Sequence, residues 1–259
     1  MKKILIHTIQ LLFIAVISSC SDISIPVDNN PETGYMSLKS ITVDDSETEI
    51  VSTPLSRGSI NTDDFIIEIF SEGNLVRSLG YYSTLPSTIE LAPGKYTLVA
   101  RNGDNTSAAF NTPYYEGRCG LEIFNNMITE VESVDCYLSN IKVTINISPK
   151  LRALLGRATT VSVGYEDQAE LTFTISRLDN GDEAYFVADD SEEYLKVTFS
   201  GSIDGDEVSV VSYCYDLKKG QHRIINYTLK DENGLDEFYA GDIDINGHLG
   251  IIQKIDGER

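Results

Sequence analysis

Few residues in this 259-residue chain have the types and spacing to do chemistry, and they stand far apart. Four cysteines, Cys20, Cys119, Cys136 and Cys214, offer thiols for acylation, a disulfide or a metal. None has metal-ligand spacing, and the last three cannot all pair with one another. Cys119 and Cys136 flank a segment that reads as a hairpin turning at Asn125-Asn126. That register sets Cys119 opposite about Glu132, so buried free thiols fit better than a bridge, which stays the alternative. His222 and His248 have no cysteine or serine motif beside them, which leaves nucleophile–histidine catalysis without its members. Forty carboxylates keep paired-acid hydrolysis open by number alone. Such chemistry needs two acids roughly 5–9.5 Å apart across a cleft, and short strands on a sandwich offer no obvious one, so a hydrolase stays a remote alternative. The expectation is a protein with no catalytic residue, no metal and no cofactor, and therefore not an enzyme.

Three acidic clusters have oxygens of the kind calcium prefers, but not EF-hand spacing. They are Asp179, Asp182 and Glu183; Asp189, Asp190, Glu192 and Glu193; and Asp204, Asp206 and Glu207. Solvated turns are the simpler account. Tyr81, Tyr82, Phe110, Tyr114 and Tyr115 sit beside turns rather than inside alternating strands. Exposed tyrosines stack on sugars or anchor protein contacts at low entropic cost. These five residues are therefore the candidate binding surface, and the competing account is that they cap a hydrophobic core.

Cys20 is set differently. Lys2 and Lys3 open the chain, and Ile4 to Ile17 form a mostly apolar run. As a helix that run spans about 21 Å at ~1.5 Å per residue, short of the ~30 Å hydrocarbon core. A cleaved export signal accounts for it better than a spanning anchor. Ile17, Ser18 and Ser19 precede the cysteine, one aliphatic residue and then two small ones. The pattern resembles a bacterial lipobox, which implies cleavage before Cys20 and a diacylglycerol on its sulfur. Several acyl chains at about 0.8 kcal/mol per buried methylene would hold the protein on a membrane. An ordinary signal peptide with an incidental cysteine is the alternative. Residues 21–33, "SDISIPVDNNPET", read as a flexible tether. Only Asp22 follows closely, so a surface-export signal is weak. The expected location is the cell envelope, as an outer-membrane lipoprotein whose leaflet and surface exposure stay open.

The chain carries 20 basic and 40 acidic residues, a net charge of −20. Loss of residues 1–19 removes two lysines and no acid, leaving −22. Charge of this sign repels phosphate backbones and argues against nucleic acid as a partner.

The stretches that must position these residues read as strands. Val, Ile, Thr and Tyr recur in short runs and helical segments are scarce, so the expected class is all-β. Between residues 34 and 139, "GYMSLKSITV", "FIIEIF", "LVRSLGYY", "TIEL" and "YTLVAR" are strands, with Phe65, Ile67 and Ile69 on one face. "APGK" reads as a type II turn. Residues 52–64 read as a loop, residues 102–117 as a long connection, and "CGLEIF" with "TEVESVDCYL" as the closing hairpin. In the second set, "IKVTINI" points Ile141, Val143, Ile145 and Ile147 inward and Lys142, Thr144 and Asn146 outward. "SPKLRALLG" is a short helix capped by Ser148, opened by Pro149 and ended by Gly156. Strands follow at "TTVSVGY", "ELTFTI", "AYFVA", "YLKVTFSG", "EVSVVSYCYDL" and "HRIINYTL", with a tight turn at Asp204-Gly205 and His222 on a sheet edge. The expected plan is a signal peptide, 1–19, and a lipidated tether, 20–33. Two tandem β-sandwiches of immunoglobulin-like or transthyretin-like type follow, 34–139 and 140–229. A polar, acidic tail, 230–259, adds an edge strand or stays mobile.

The run "DDFIIEIFSEGNLVRSLGYYSTLPSTIELAPGKYTLVARNGDNTSAAFNTPYYEG" and the junction "VDCYLSNIKVTINIS" resemble an uncharacterised lipoprotein family of Bacteroides-type bacteria, domain of unknown function 4493. The resemblance covers roughly residues 34–229, and that family has no assigned activity. More distantly, the two-sandwich plan and the lipobox resemble fimbrillin-type pilins and surface adhesins, which assemble by strand insertion between subunits. Fimbrillins mature by cleavage after an arginine, for which Arg57 in "PLSRGS" is the matching candidate. The tail has no obvious donor-strand character. The resemblance implies a non-enzymatic envelope lipoprotein acting in adhesion or as a fimbria-like component. Its partners would be the membrane, through the lipid, and other envelope proteins or glycans; a surface glycan-binding module is the alternative.

Overall fold

The computed structural model describes residues 32–44, 60–166, 170–188, 194–232, 235–244 and 253–254, with side chains up to residue 229. Cys20, the signal segment, most of the tether, Arg57, residues 189–193 and His248 lie outside the described residues. In chain order the strands are β1 Gly34–Leu38, β2 Ile41–Asp44, β3 Ile66–Ser71, β4 Asn74–Tyr81, β5 Ile89–Leu91, β6 Gly94–Asn102, β7 Ala109–Phe110, β8 Tyr115–Ile123, β9 Ile128–Val131 and β10 Val134–Leu138. After these come β11 Asn140–Ile147, helix α1 Pro149–Leu154, β12 Thr160–Gly164, β13 Leu171–Thr174, helix α2 Ile175–Asn180 and β14 Ala184–Val187. The last are β15 Tyr194–Ile203, β16 Asp206–Tyr215, β17 His222–Glu232, β18 Leu235–Asp244 and β19 Gln253–Lys254.

These strands build an all-β, sandwich-like fold from four sheets. A three-stranded sheet, β5-β1-β9, shares one hydrophobic cluster with a six-stranded sheet, β2-β10-β8-β6-β3-β4. There Met36 and Ile89 meet Ile67, Ile69, Leu98 and Cys136. A second cluster joins the sheet β19-β18-β17-β11-β14-β7 to the sheet β13-β12-β15-β16, with Ile141, Val143 and Ile225 against Phe173, Val197 and Phe199. The cause is the alternation of apolar and polar residues with the period of a strand. Phe65, Ile67 and Ile69 are fully buried, and each such side chain contributes roughly 1.5–3 kcal/mol.

Local chemistry sets the turns. Asp204 and Gly205 take φ of +51° and +92°, the left-handed pair of a type I′ turn that matches strand twist. The hairpin it closes keeps register over ten pairs, from Ile203 with Asp206 to Tyr194 with Tyr215. Ser148 caps α1 by accepting the Leu151 N–H, and Pro149 occupies its first turn.

Several expectations are corrected. "GYMSLKSITV" is two strands in two sheets rather than one, because the chain breaks at Lys39 and Ser40 to change sheets. The closing hairpin does not form. Asn126 turns the chain at φ +56°, but β9 leaves β8 to pair parallel with β1. "APGK" is not a type II turn: Gly94, at φ +155°, is already paired with Ile123 at the start of β6. The long connection contains β7, which pairs with β14. Helix α1 ends on Leu155 in extended conformation, not on Gly156. Gly156 sits where a Cβ would come within 2.2 Å of Ser202 Oγ. Ile175 leaves its strand to open α2, capped by Thr174 and closed by Gly181 at φ +70°. His222 is not on an edge, since β17 runs between β11 and β18. In the tail, residues 235–244 pair antiparallel with β17. As expected, no disulfide joins Cys119, Cys136 and Cys214 to one another, and burial pushes the Cys136 thiol up to about 12.

The largest departure is Lys142, expected to face water and found fully buried. Its Nζ reaches Glu183 Oε1 at 2.7 Å, while Glu183 Oε2 accepts from the Tyr185 hydroxyl at 2.6 Å. Removing one member of such a pair strands the other charge, whereas apolar replacement of both is far milder. Lys142→Ala is expected to lower stability by about 3 kcal/mol, read as a fall in the urea midpoint at unchanged slope. Lys142→Met with Glu183→Gln should recover most of the loss.

Candidate functional site

The structure disperses the five expected surface aromatics. Tyr81 is 54% exposed at the end of β4. Tyr82, next to it, packs against the first cluster and donates its hydroxyl to the Lys39 carbonyl at 2.9 Å. Phe110 lies edge-on to Phe173 at 5.0 Å between ring centres, with the Arg177 guanidinium 4.1 Å above its ring. Tyr114 and Tyr115 are only 7% exposed. Tyr115 opens β8 and packs in the first cluster, and the Tyr114 carbonyl accepts the buried Ser139 N–H at 2.7 Å. Tyr114 donates to Glu116 at 2.6 Å, and burial with this hydrogen bond raises its pKa well above the usual phenol range. Burial alone would raise Glu116 as well, but hydrogen bonds from Tyr114 and Arg118 outweigh it and hold the carboxyl low. Phe110, Tyr114 and Tyr115 therefore serve core packing and do not form a shared recognition platform with Tyr81.

The first of the three acidic clusters is likewise occupied, while residues 189–193 of the second lie outside the described residues. Asp179 takes Arg152 in a two-bond clasp at 3.0 and 2.7 Å, Asp182 takes Arg177 at 2.7 Å, and Glu183 takes Lys142. A cavity of about 690 Å³ beside α1 is lined by Arg152, Arg157, Thr174 and Ser176 among others, and none of the described residues in its wall is a carboxylate.

A different aromatic group is assembled on the outer face of β15 and β16. Tyr194 and Tyr215 are cross-strand partners, and Tyr213 stands opposite Lys196, diagonal to Tyr194. The ring centre of Tyr194 lies 5.1 Å from that of Tyr213 and 5.5 Å from that of Tyr215, both edge-on. Tyr213 and Tyr215 are 6.1 Å apart. Val211, Tyr213 and Tyr215 are 38%, 37% and 42% exposed, so one strand presents three large side chains to solvent. Tyr194 is held by donating its hydroxyl to Glu166, and this hydrogen bond raises its pKa to about 12. Strand β16 is also the outer strand of its sheet among the described residues.

Sequence reasoning missed this shelf because it sought aromatics beside turns. The signal was the phase of "VVSYCY": Val210 and Cys214 are buried, so Val211, Tyr213 and Tyr215, at odd spacing from them, must face out.

Comparison with known proteins sets this geometry beside others. Residues 32–246 match the family described as a domain of unknown function, DUF4493, in agreement with the resemblance read from the sequence. A fimbrial assembly protein from Parabacteroides distasonis superposes with a TM-score of 0.50 at 10% identity, over 86% of this chain and all of that one. At that identity the likeness is one of fold. A protein from Bacteroides thetaiotaomicron, provisionally described as an adhesin, gives 0.42 at 12% identity over 82% and 96% of the two chains. Another from the same organism, provisionally described as polysaccharide-binding, gives 0.46 at 10% over 85% and 99%. No curated protein matches.

Tyr194 provides a direct check of the shelf. Its raised pKa means that its contribution to stability is full below the ordinary phenol range, near pH 10, and is lost as pH rises through about 12. The chain has 14 tyrosines, so the titration is read as a difference between wild type and Tyr194→Phe. In a stopped-flow pH jump, with phenolate absorbance as the readout, the missing phenol should titrate near 12, and Glu166→Gln should bring it down.

Proposed function

This chain belongs to the DUF4493 family, and we propose that it is a non-enzymatic, lipid-anchored envelope protein that makes adhesive contacts through the outer face of β15 and β16. The observation that carries the reading is the shelf of Tyr194, Tyr213 and Tyr215 on an outer strand. Tyrosines expose broad ring faces with few rotatable bonds, so ordering them on binding costs little. A regular strand edge beside them adds unpaired backbone groups that another strand can meet. The fold shared with a fimbrial assembly protein supports the same assignment. The lipobox-like residues Ile17 to Cys20 support a seat on the outer membrane, and two tandem sandwiches, meeting near residues 139 and 140, carry the shelf.

A second reading, a surface glycan-binding module, is favoured by the same three rings. The two differ in what they require. Strand pairing needs the edge; sugar stacking needs the rings.

The full chain, expressed in its own envelope and in the cells that carry it, tests both. Tyr213→Ala with Tyr215→Ala is expected to reduce cell adhesion at least about tenfold, the loss of roughly 1.4 kcal/mol of contact, with the protein still at the cell surface by proteolysis of intact cells. Ser209→Lys keeps the rings and blocks the edge. Loss with this variant alone assigns the contact to strand pairing and a fimbria-like role. Ring-dependent binding on a glycan array assigns it to sugars. Undiminished adhesion in both variants, or full protection from external protease, overturns the proposal.

A further inference from the structure

The described body begins at a defined place. The Asn126 N–H donates to the Thr33 carbonyl at 2.7 Å, and the Tyr35 N–H donates to the Met127 carbonyl at 2.8 Å. Gly34, between them, is pressed so close to the β8–β9 turn that a Cβ would stand 2.2 Å from the Phe124 carbonyl oxygen and 2.6 Å from Ile123 Cγ2. Any side chain there would force the chain off the turn. The described chain therefore begins against residues 124–127.

That same place is apolar and uncovered. Phe124 is 50% exposed, Met127 57%, Ile128 56% and Tyr35 36%. Tyr35 and Ile128 are register partners on β1 and β9, so their side chains share one face. Single exposed apolar residues are ordinary, but a contiguous group marks a contact surface. Two acids at the far end of β9 and just beyond it, Glu130 and Glu132, are both paired with Lys39, at 2.9 and 2.6 Å.

We propose that the tip formed by Tyr35, Phe124, Met127 and Ile128 inserts into the interfacial layer of the bilayer that carries the anchor. The inference rests on the reading that Cys20 is acylated. Twelve residues, 21–32, separate Cys20 from the body's edge at Thr33. They reach at most about 45 Å when extended and roughly 20 Å as a flexible chain. A body of this length has a radius of gyration of about 17 Å, so the tether holds the tip near the lipid while the rest of the surface lies farther away. Anchoring makes the contact intramolecular and raises the effective concentration to about the millimolar range. A patch too small to capture a free protein is then sufficient. A tyrosine, a phenylalanine and a methionine suit the headgroup–acyl boundary, where an apolar body and a polar end are both accommodated. The net negative charge of the protein repels an anionic surface elsewhere, which confines the contact to this neutral point and gives the body one orientation.

The protein contains no tryptophan, so Phe124→Trp places a single reporter in the full-length acylated protein. It is reconstituted into vesicles of phosphatidylethanolamine and phosphatidylglycerol. The protein should float with the vesicles, its emission should shift to the blue, and brominated acyl chains should quench it. Tyr213→Trp, on the β16 face, should float equally and show neither effect. Flotation with an unshifted, unquenched Phe124→Trp overturns the tip contact and leaves the anchor standing. Failure to float, with an unmodified amino terminus by mass spectrometry, removes the anchor and the proposal with it. A blue shift that appears without lipid and grows with protein concentration assigns the tip to a second copy of the chain and overturns the membrane contact.

Discussion

The chain crosses from one hydrophobic cluster to the other within two residues, and this constraint organises the molecule. Ser139 and Asn140 are each only 2% exposed, so their polar groups must find partners inside the protein. The Ser139 N–H donates to the Tyr114 carbonyl at 2.7 Å, and the Asn140 carbonyl accepts from Gly220 at 3.1 Å. The Asn140 side chain donates to the Thr112 carbonyl at 3.4 Å and accepts, at a long 3.5 Å, from the Tyr114 N–H. Residues 112–114 are thus needed at the crossing. With them come Asn111, bonded to both Asp182 and Glu183, and β7, which lays Phe110 on the second cluster. The described residues from Glu32 onward form one compact unit.

Period-two alternation made the class and most strands legible in the sequence, because burying one face of a strand is a local pattern. The type I′ turn at Asp204-Gly205 and the cap at Ser148 were legible for the same reason. What depended on distant partners was not. Lys142 occupies an outward position of β11, and only the return of Glu183 and Tyr185 on the neighbouring strand region encloses it. Likewise β9 has the composition of a hairpin arm, and its pairing with β1 is set by residues far away in the chain. Of the candidate aromatics, position beside a turn identified Tyr81 as exposed but misplaced Phe110, Tyr114 and Tyr115. Tyr213 and Tyr215 were readable from phase alone, once Cys214 is taken as the buried neighbour.

The edges of the four sheets show why β16 stands out. An outer strand presents unpaired backbone groups, and proteins blunt such strands by shortness, bulges or charge. Among the described residues, β2, β5, β7, β9, β13 and β19 have four residues or fewer. The eight-residue β4 shifts register twice against β3 and carries Gly80 at φ +79°, the bending that bulges produce. Strand β16 has ten residues and no register shift. Among the described residues its protection is limited to Asp206 and Glu207 at one end, which leaves a long, regular edge beside the tyrosine shelf.

Charge then restricts what can meet that shelf. The sequence has twice as many acids as bases, and many bases are already engaged within the fold. Arg101 clasps Glu68 through two 3.0 Å bonds, Arg152 holds Asp179, Arg177 holds Asp182 and Lys142 holds Glu183. Each such pair cancels one acid, and the remaining excess of acids sets a negative field that opposes a strongly anionic partner. At the shelf, Glu166 accepts from Tyr194, while Lys196 lies opposite Tyr213. Among the described residues the surface there is aromatic with Lys196 beside it, a setting suited to short-range contact through ring faces. For the proposed shelf contact, the net charge favours a neutral or cationic partner over an anionic one.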